Sequence, residues 1–186
     1  MIRRTGSLAL LLVVQLLAAG ASLAADEAQK RYPLPGQGFF QLNVPKSWRD
    51  EVQQPKPGMP PTIAFHAAQG KPFDVLVTPL WRTQPNAPVP TKEDLRKRVD
   101  NAIDAVRNDA VEKDIQAIEL QGASGAGYYF TVTDRAPKPG EYKFMTQGML
   151  KVSDLVVTFT ILTNDGQQEV TRAALGMLRT ATNVQK

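Results

Sequence analysis

The sequence predicts an α+β domain: a twisted, mainly antiparallel sheet of about seven strands with two packed helices, an α/β/α sandwich in the order βββαββββα. Three observations predict it. Apolar residues recur with a period of two in several short stretches, the mark of strands with one buried face. The links between neighbouring strands are too short for the crossovers that parallel pairing requires. Two other segments carry apolar stripes at spacings of three and four, and one-sided helices of that kind need a sheet to cover.

The elements follow in order. Phe40, Leu42 and Val44 alternate with Gln41 and Asn43 in a first strand that Pro45 stops. Pro55, Pro57, Gly58, Pro60 and Pro61 then mark a loop, because proline has no N–H for a ladder. Ile63, Phe65 and Ala67 alternate in the next strand and Phe73, Val75 and Val77 in the one after, with Ala68 to Lys71 as a hairpin turn. A second proline loop, residues 85–90, leads to Thr91 with Asp94 three residues on, which resembles a capping box. The helix from Lys92 to about Asn108 carries Leu95, Val99, Ala102, Ile103 and Val106 on one face, and its Glu93–Lys97 spacing suits an ion pair.

Strands return after it. Ile115–Leu120 is short; Tyr128, Phe130 and Val132 alternate in the next. After a long turn at residues 135–140, a strand from Tyr142 to about Lys151 and another over Leu155–Ile161 form a hairpin joined through Ser153 and Asp154. Asp165 is placed to cap a last helix with the stripe Val170, Ala173, Ala174, Met177, Leu178 and Ala181.

The N-terminus sets the address. Arg3 and Arg4 precede an apolar run from Leu8 to Leu23, and Ser22-Leu23-Ala24 puts small residues where a signal peptidase cuts before Ala25. That run of 16 residues falls short of the roughly 20 that cross a bilayer as a helix. Residues 1–24 therefore read as a Sec-type bacterial signal peptide, residues 25–36 as an N-terminal arm and residues 37–186 as one globular domain, periplasmic or secreted. Thr5-Gly6-Ser7 lacks the apolar continuation of a twin-arginine signal. With 0 cysteines the chain has neither a lipobox thiol nor disulfides. Losing Arg3 and Arg4 lowers the net charge from +4 to +2, and no clustered basic patch points to nucleic acid.

Phe39-Phe40-Gln41-Leu42-Asn43-Val44-Pro45-Lys46-Ser47-Trp48, an alternating strand followed by Pro-x-x-Trp, resembles the opening of PsbP-like domains. Gly127-Tyr128-Tyr129-Phe130, the long hairpin and the terminal helix resemble the second half of that fold, so the likeness covers residues 37–184. The group includes photosystem PsbP subunits, the Mog family of Ran-binding proteins and bacterial DcrB-like envelope proteins. The resemblance implies an α/β/α sandwich and no catalytic residues; members mostly bind other proteins or assist assembly. DcrB-like proteins are typically lipid-anchored, a point at which this cysteine-free chain departs from them.

Chemistry-bearing residues are sparse. His66 is the sole histidine, on the strand face opposite Ile63 and Phe65, with no Gly-x-Ser-x-Gly elbow to supply a nucleophile. One histidine cannot make a zinc site. Asp100, Asp104 and Asp109 suit a solvated helix face better than a calcium site. No catalytic, cofactor or metal residues are assigned. Three features suit binding: Trp48 and Trp81 beside the proline loops, either as anchors or as packing under them; the strand face of Lys143, Met145, Gln147 and Met149; and the basic cluster Lys92, Arg96, Lys97 and Arg98. The expected function is non-catalytic binding of a protein or peptide partner in envelope assembly or maintenance. The alternative is a small-ligand or lipid carrier with a cleft between helix and sheet.

Overall fold

The structure, a computed structural model, describes residues 26–53, 59–84 and 86–185; the expected signal peptide and its cleavage position between Ala24 and Ala25 lie outside the described residues. Ten strands and two helices run in the order β1 (Glu27–Leu34), β2 (Gly38–Pro45), β3 (Trp48–Gln53), β4 (Thr62–Ala67), β5 (Asp74–Leu80), α1 (Lys92–Val106), β6 (Ile118–Gly122), β7 (Gly125–Thr133), β8 (Phe144–Val152), β9 (Leu155–Thr163), α2 (Gln168–Arg179) and β10 (Thr182–Val184). Seven strands form one sheet in the order β3-β4-β5-β9-β8-β7-β6, and three form a smaller sheet, β1-β2-β10. Every pairing is antiparallel.

The α+β class and the sandwich are as the sequence indicates, but the strand membership differs. Residues 25–36 read as an arm; Glu27–Leu34 is instead strand β1, paired along its length with β2. The stretch after Pro45 read as loop; Trp48–Gln53 is the edge strand β3. The strand of Phe40, Leu42 and Val44 sits in the small sheet, and β3 takes the seventh place in the large one.

Local chemistry accounts for the start of α1. Thr91 and Asp94 close a capping box, with the Asp94 N–H donating to Thr91 Oγ1 at 3.1 Å and the Thr91 N–H to Asp94 Oδ2 at 2.8 Å. The ion pair along α1 joins Arg96 to Asp100 at 3.0 Å rather than Glu93 to Lys97. Asp165 does not cap α2: Gln167 takes that place without a side-chain bond to the helix. Asp165 turns to the Lys143 ammonium at 2.9 Å, while Gln167 Oε1 accepts from the Asn164 N–H at 2.7 Å.

The layers follow from which face each strand buries. Ile63, Phe65, Val75, Val77, Val157, Phe159 and Ile161 project from one face of the large sheet and are buried under α2 and the small sheet. We call this the inner face. Burial of each such side chain is worth about 1.5–3 kcal/mol. On the outer face Phe130 and Val132 meet Val99 and Ile103 of α1 in a second, smaller core. The β8–β9 hairpin turns tightly: Val152 pairs with Leu155, and Ser153 takes a positive φ of 54°.

Candidate functional site: the uncovered sheet face beside α1

Widths decide what the outer face leaves open. A helix is about 10 Å across, and strands lie about 4.8 Å apart, so one helix covers about two strands. Helix α1 packs on β7 and β8. Among the described residues no helix lies over the outer face of β9, β5 and β4. Adjacent residues of β9 show the consequence: Val157, Phe159 and Ile161 are buried, whereas Val156, Thr158, Thr160 and Leu162 are half-buried. Leu76, Thr78 and Leu80 of β5 are likewise half-buried on that face.

This surface is a groove. Its floor is β9 and β5, with the register placing Thr160 opposite Gln147 on β8 and opposite Leu76 on β5. One wall is the flank of α1 that carries Arg98, Ala102 and Val106 at four-residue spacing. Two open clefts mark its ends. One, of 140 Å³, lies at the β8–β9 hairpin between Leu80, Trp81, Arg98 and Val156. The other, of 220 Å³, lies between Val106, Tyr142, Met145 and Leu162.

Polar groups on the floor are mostly satisfied across strands. Thr62 Oγ1 and Thr78 Oγ1 share a hydrogen bond of 2.7 Å. His66 Nδ1 meets Asp74 Oδ1 at 2.6 Å, and the Tyr142 hydroxyl faces the same carboxylate. Burial, then the charge and hydrogen bond of Asp74, push the Tyr142 phenol up. A cross-strand His–Asp pair orients the ring, but no serine, cysteine or lysine nucleophile stands within the contacts it makes.

The residues singled out from sequence fall into three groups. Trp48 is 8% exposed and packs at a tilt against Phe73 at 4.8 Å and Phe65 at 6.4 Å, so it lies in the core. Trp81 is half-buried, packing on the same core while lining the hairpin end of the groove. The two tryptophans flank β5 at opposite ends. Lys92 and Arg96 face away from the groove: Lys92 pairs with Glu119 at 2.8 Å, and both cations lie over the Tyr128 ring at 5.7 and 5.3 Å. Glu119 holds the Lys92 ammonium above its usual range. Met145 and Met149 are tucked partly against the α1 core. Asp100 and Asp104 are held by Arg96 and Arg107. Sequence reading passed over Thr158, Thr160, Leu76 and Leu162; the sign for them was a seven-stranded sheet offered one helix per face.

The enclosed helix–sheet space is filled. Leu95, Val99 and Ile103 of α1, and Ala174, Met177 and Leu178 of α2, are buried against the strands. A cleft beside α2 between Thr131, Phe144 and Thr171 measures 200 Å³, below the roughly 300–1,000 Å³ of small-molecule pockets.

Fold and layering define the class: an α/β/α sandwich with one sheet face half open. Solved structures share that fold. A crystal structure from Bacteroides thetaiotaomicron superposes with a TM-score of 0.56 over 84% of this chain at 11% identity; the chain spans only 49% of that protein. LpqN of Mycobacterium tuberculosis, described as involved in cell envelope biogenesis, superposes with a TM-score of 0.52 over 84% of this chain and 90% of its own, at 14% identity. A cyanobacterial PsbP from a Synechocystis species aligns over 91% of this chain and 99% of its own, at 14% identity and a TM-score of 0.46. At such identities the likeness to the first two is one of fold. No family model matches the chain, and no curated protein matches its sequence. No helix among the described residues is long and apolar enough to cross a membrane.

Proposed function

We propose that this is a non-catalytic, exported envelope protein that works by holding a protein or peptide partner in the groove between α1 and the outer face of β9. The observation that carries the reading is the half-burial of Val156, Thr158, Thr160 and Leu162, against full burial of their neighbours on the inner face. A mixed apolar and hydroxyl floor of that kind suits a macromolecular contact: apolar side chains supply area, and the Thr160 hydroxyl is free among the described residues to accept from or donate to a partner backbone. The signal-like N-terminus supports export. The envelope role described for LpqN supports the compartment. The carrier reading has less support, since the helix–sheet interfaces are packed and the clefts beside α2 and α1 measure only 200 and 220 Å³.

The test is site-specific photocrosslinking in the cells that make the protein. A photoreactive residue replacing Thr160 should give a discrete adduct, while one replacing the exposed Arg172 on α2 should not. Absence of an adduct at Thr160, where known envelope complexes are recovered in the same experiment, would overturn the reading.

A further inference from the structure

We infer that the groove is dipolar and selects an extended partner segment bearing an acidic residue at one end and a basic residue about six positions away. The inference rests on the docking reading above and adds the partner's chemistry. At the β8–β9 hairpin end, Arg82 and Arg98 border the cleft, with Asp154 as its only acid among the described residues. Lys151 projects from the same face, opposite Val156 in the register. Arg82 is anchored by donating to the Ala87 carbonyl at 2.8 Å, while Arg98 and Lys151 form no ion pair with any described residue. That end is cationic.

The other end has the opposite sign. Asp109 and Asp134 border its cleft, and Asp74 stands opposite Leu162 at the same end of the floor. Of the cations there, Lys143 is held by Asp165 at 2.9 Å and Arg135 donates to the Ala110 carbonyl at 2.6 Å, so the carboxylates of this end outnumber them. Between the ends the floor is uncharged: Val156, Thr158, Thr160 and Leu162 from β9, with Leu76 and Thr78 beside them.

Length sets the register of the partner. From Val156 to Leu162 the strand advances about 20 Å at about 3.3 Å per residue, and an extended segment laid along it advances at the same rate. Its own charges must then be about six positions apart to meet both ends. A segment lying across sheet and helix flank presents alternate side chains to the floor. Gln147 and Thr160, facing each other across β8 and β9, make no hydrogen bond with a described residue, so they are free to pair with its backbone.

Three fluorescent heptapeptides, acetylated and amidated at their termini, test the idea on the folded mature chain by anisotropy at low salt. One is Lys-Val-Ser-Leu-Thr-Val-Glu, and the others replace both ends by glutamine or by lysine. The Lys/Glu peptide should bind about fivefold tighter than either, with the preference fading as salt rises. In the double variant Arg98→Glu/Lys151→Glu, which sets two new acids and Asp154 against Arg82 at the hairpin end, the preference should move to the peptide with lysine at both ends. Equal affinities for the three peptides, no binding of any, or an unchanged preference in Arg98→Glu/Lys151→Glu overturns the inference. If that happens while the Thr160 adduct persists, only the dipolar chemistry is lost. If the adduct is missing too, the docking reading falls with it.

Discussion

The Tyr32 hydroxyl donates a hydrogen bond to Asp50 Oδ2 across 2.9 Å, and that bond ties the small sheet to the edge of the large one. Asp50 also holds the Lys30 ammonium. Tyr32 packs edge-on against Phe65 at 6.2 Å. One carboxylate thus fixes two residues of β1 over β3, which is why a polar segment follows a sheet edge.

Tyr32→Phe keeps the ring and removes the bond. Urea denaturation should report a loss of about 1–2 kcal/mol with an unchanged slope. Burial, then the hydrogen bond and charge of Asp50, push the Tyr32 phenol far above its ordinary 10.0. In the unfolded chain it ionises near pH 10. The contribution is therefore complete below about pH 10 and is lost as pH rises further, because the unfolded state releases its proton first. Unfolding curves of the wild type from pH 8 to 11 should fall more steeply than those of Tyr32→Phe.

The same contact explains what was legible in the sequence. Strands β5, β8 and β9 bury every second residue over most of their length, and β4 and β7 do so at Ile63 and Phe65 and at Phe130 and Val132, so alternation reveals them. In β1 and β3 the inward positions include Lys30 and Asp50, which satisfy each other only in the fold. Such strands carry no readable period. Strand β10 has 3 residues, too few for any pattern. The open groove was hidden for a different reason. Strand β9 is apolar enough on both alternations to read as buried on two sides, and only the placement of α1 over β7 and β8 shows which part is covered.

Glu112 gives an acid-side counterpart. Its carboxylate accepts from the Thr133 N–H at 2.9 Å and from the Thr133 hydroxyl at 2.7 Å. Burial alone would raise its pKa, but those bonds outweigh it and hold the group below the usual carboxylate range. A depressed pKa contributes stability above the unfolded value, near 4.3, and that stability is lost as pH falls through the folded one. Glu112→Gln should be less stable than wild type at pH 6, and the gap should narrow towards pH 3 in urea titrations.

Two glycines should respond in opposite directions. A Cβ at Gly148 would lie 2.6 Å from the Phe159 ring, inside a filled core, so Gly148→Ala should cost about 1–3 kcal/mol. At Gly176, within α2, nothing lies within 4 Å of the added atom. Gly176→Ala should stabilise by about 0.5–1 kcal/mol through helix propensity. Calorimetric midpoints moving the same way for both variants would contradict the packing described.

Ile161 and Leu162 are chain neighbours on opposite faces of β9, and an arginine at each separates folding from docking. Ile161 is 0% exposed beneath α2 and the small sheet. There a guanidinium would be buried without a partner, and Ile161→Arg should yield no folded protein. Leu162 is half-buried on the open face, beside Asp74 and Tyr142, where an arginine can reach solvent and an acidic neighbour. Leu162→Arg should therefore fold, with a midpoint within about 2 °C of wild type. It would nonetheless fill the acidic end of the groove with charge of the wrong sign for a basic partner residue. The adduct formed from a photoreactive group at position 160 should then drop severalfold in Leu162→Arg while the circular dichroism spectrum is unchanged. An undiminished adduct in a folded Leu162→Arg protein would place the partner elsewhere on the surface.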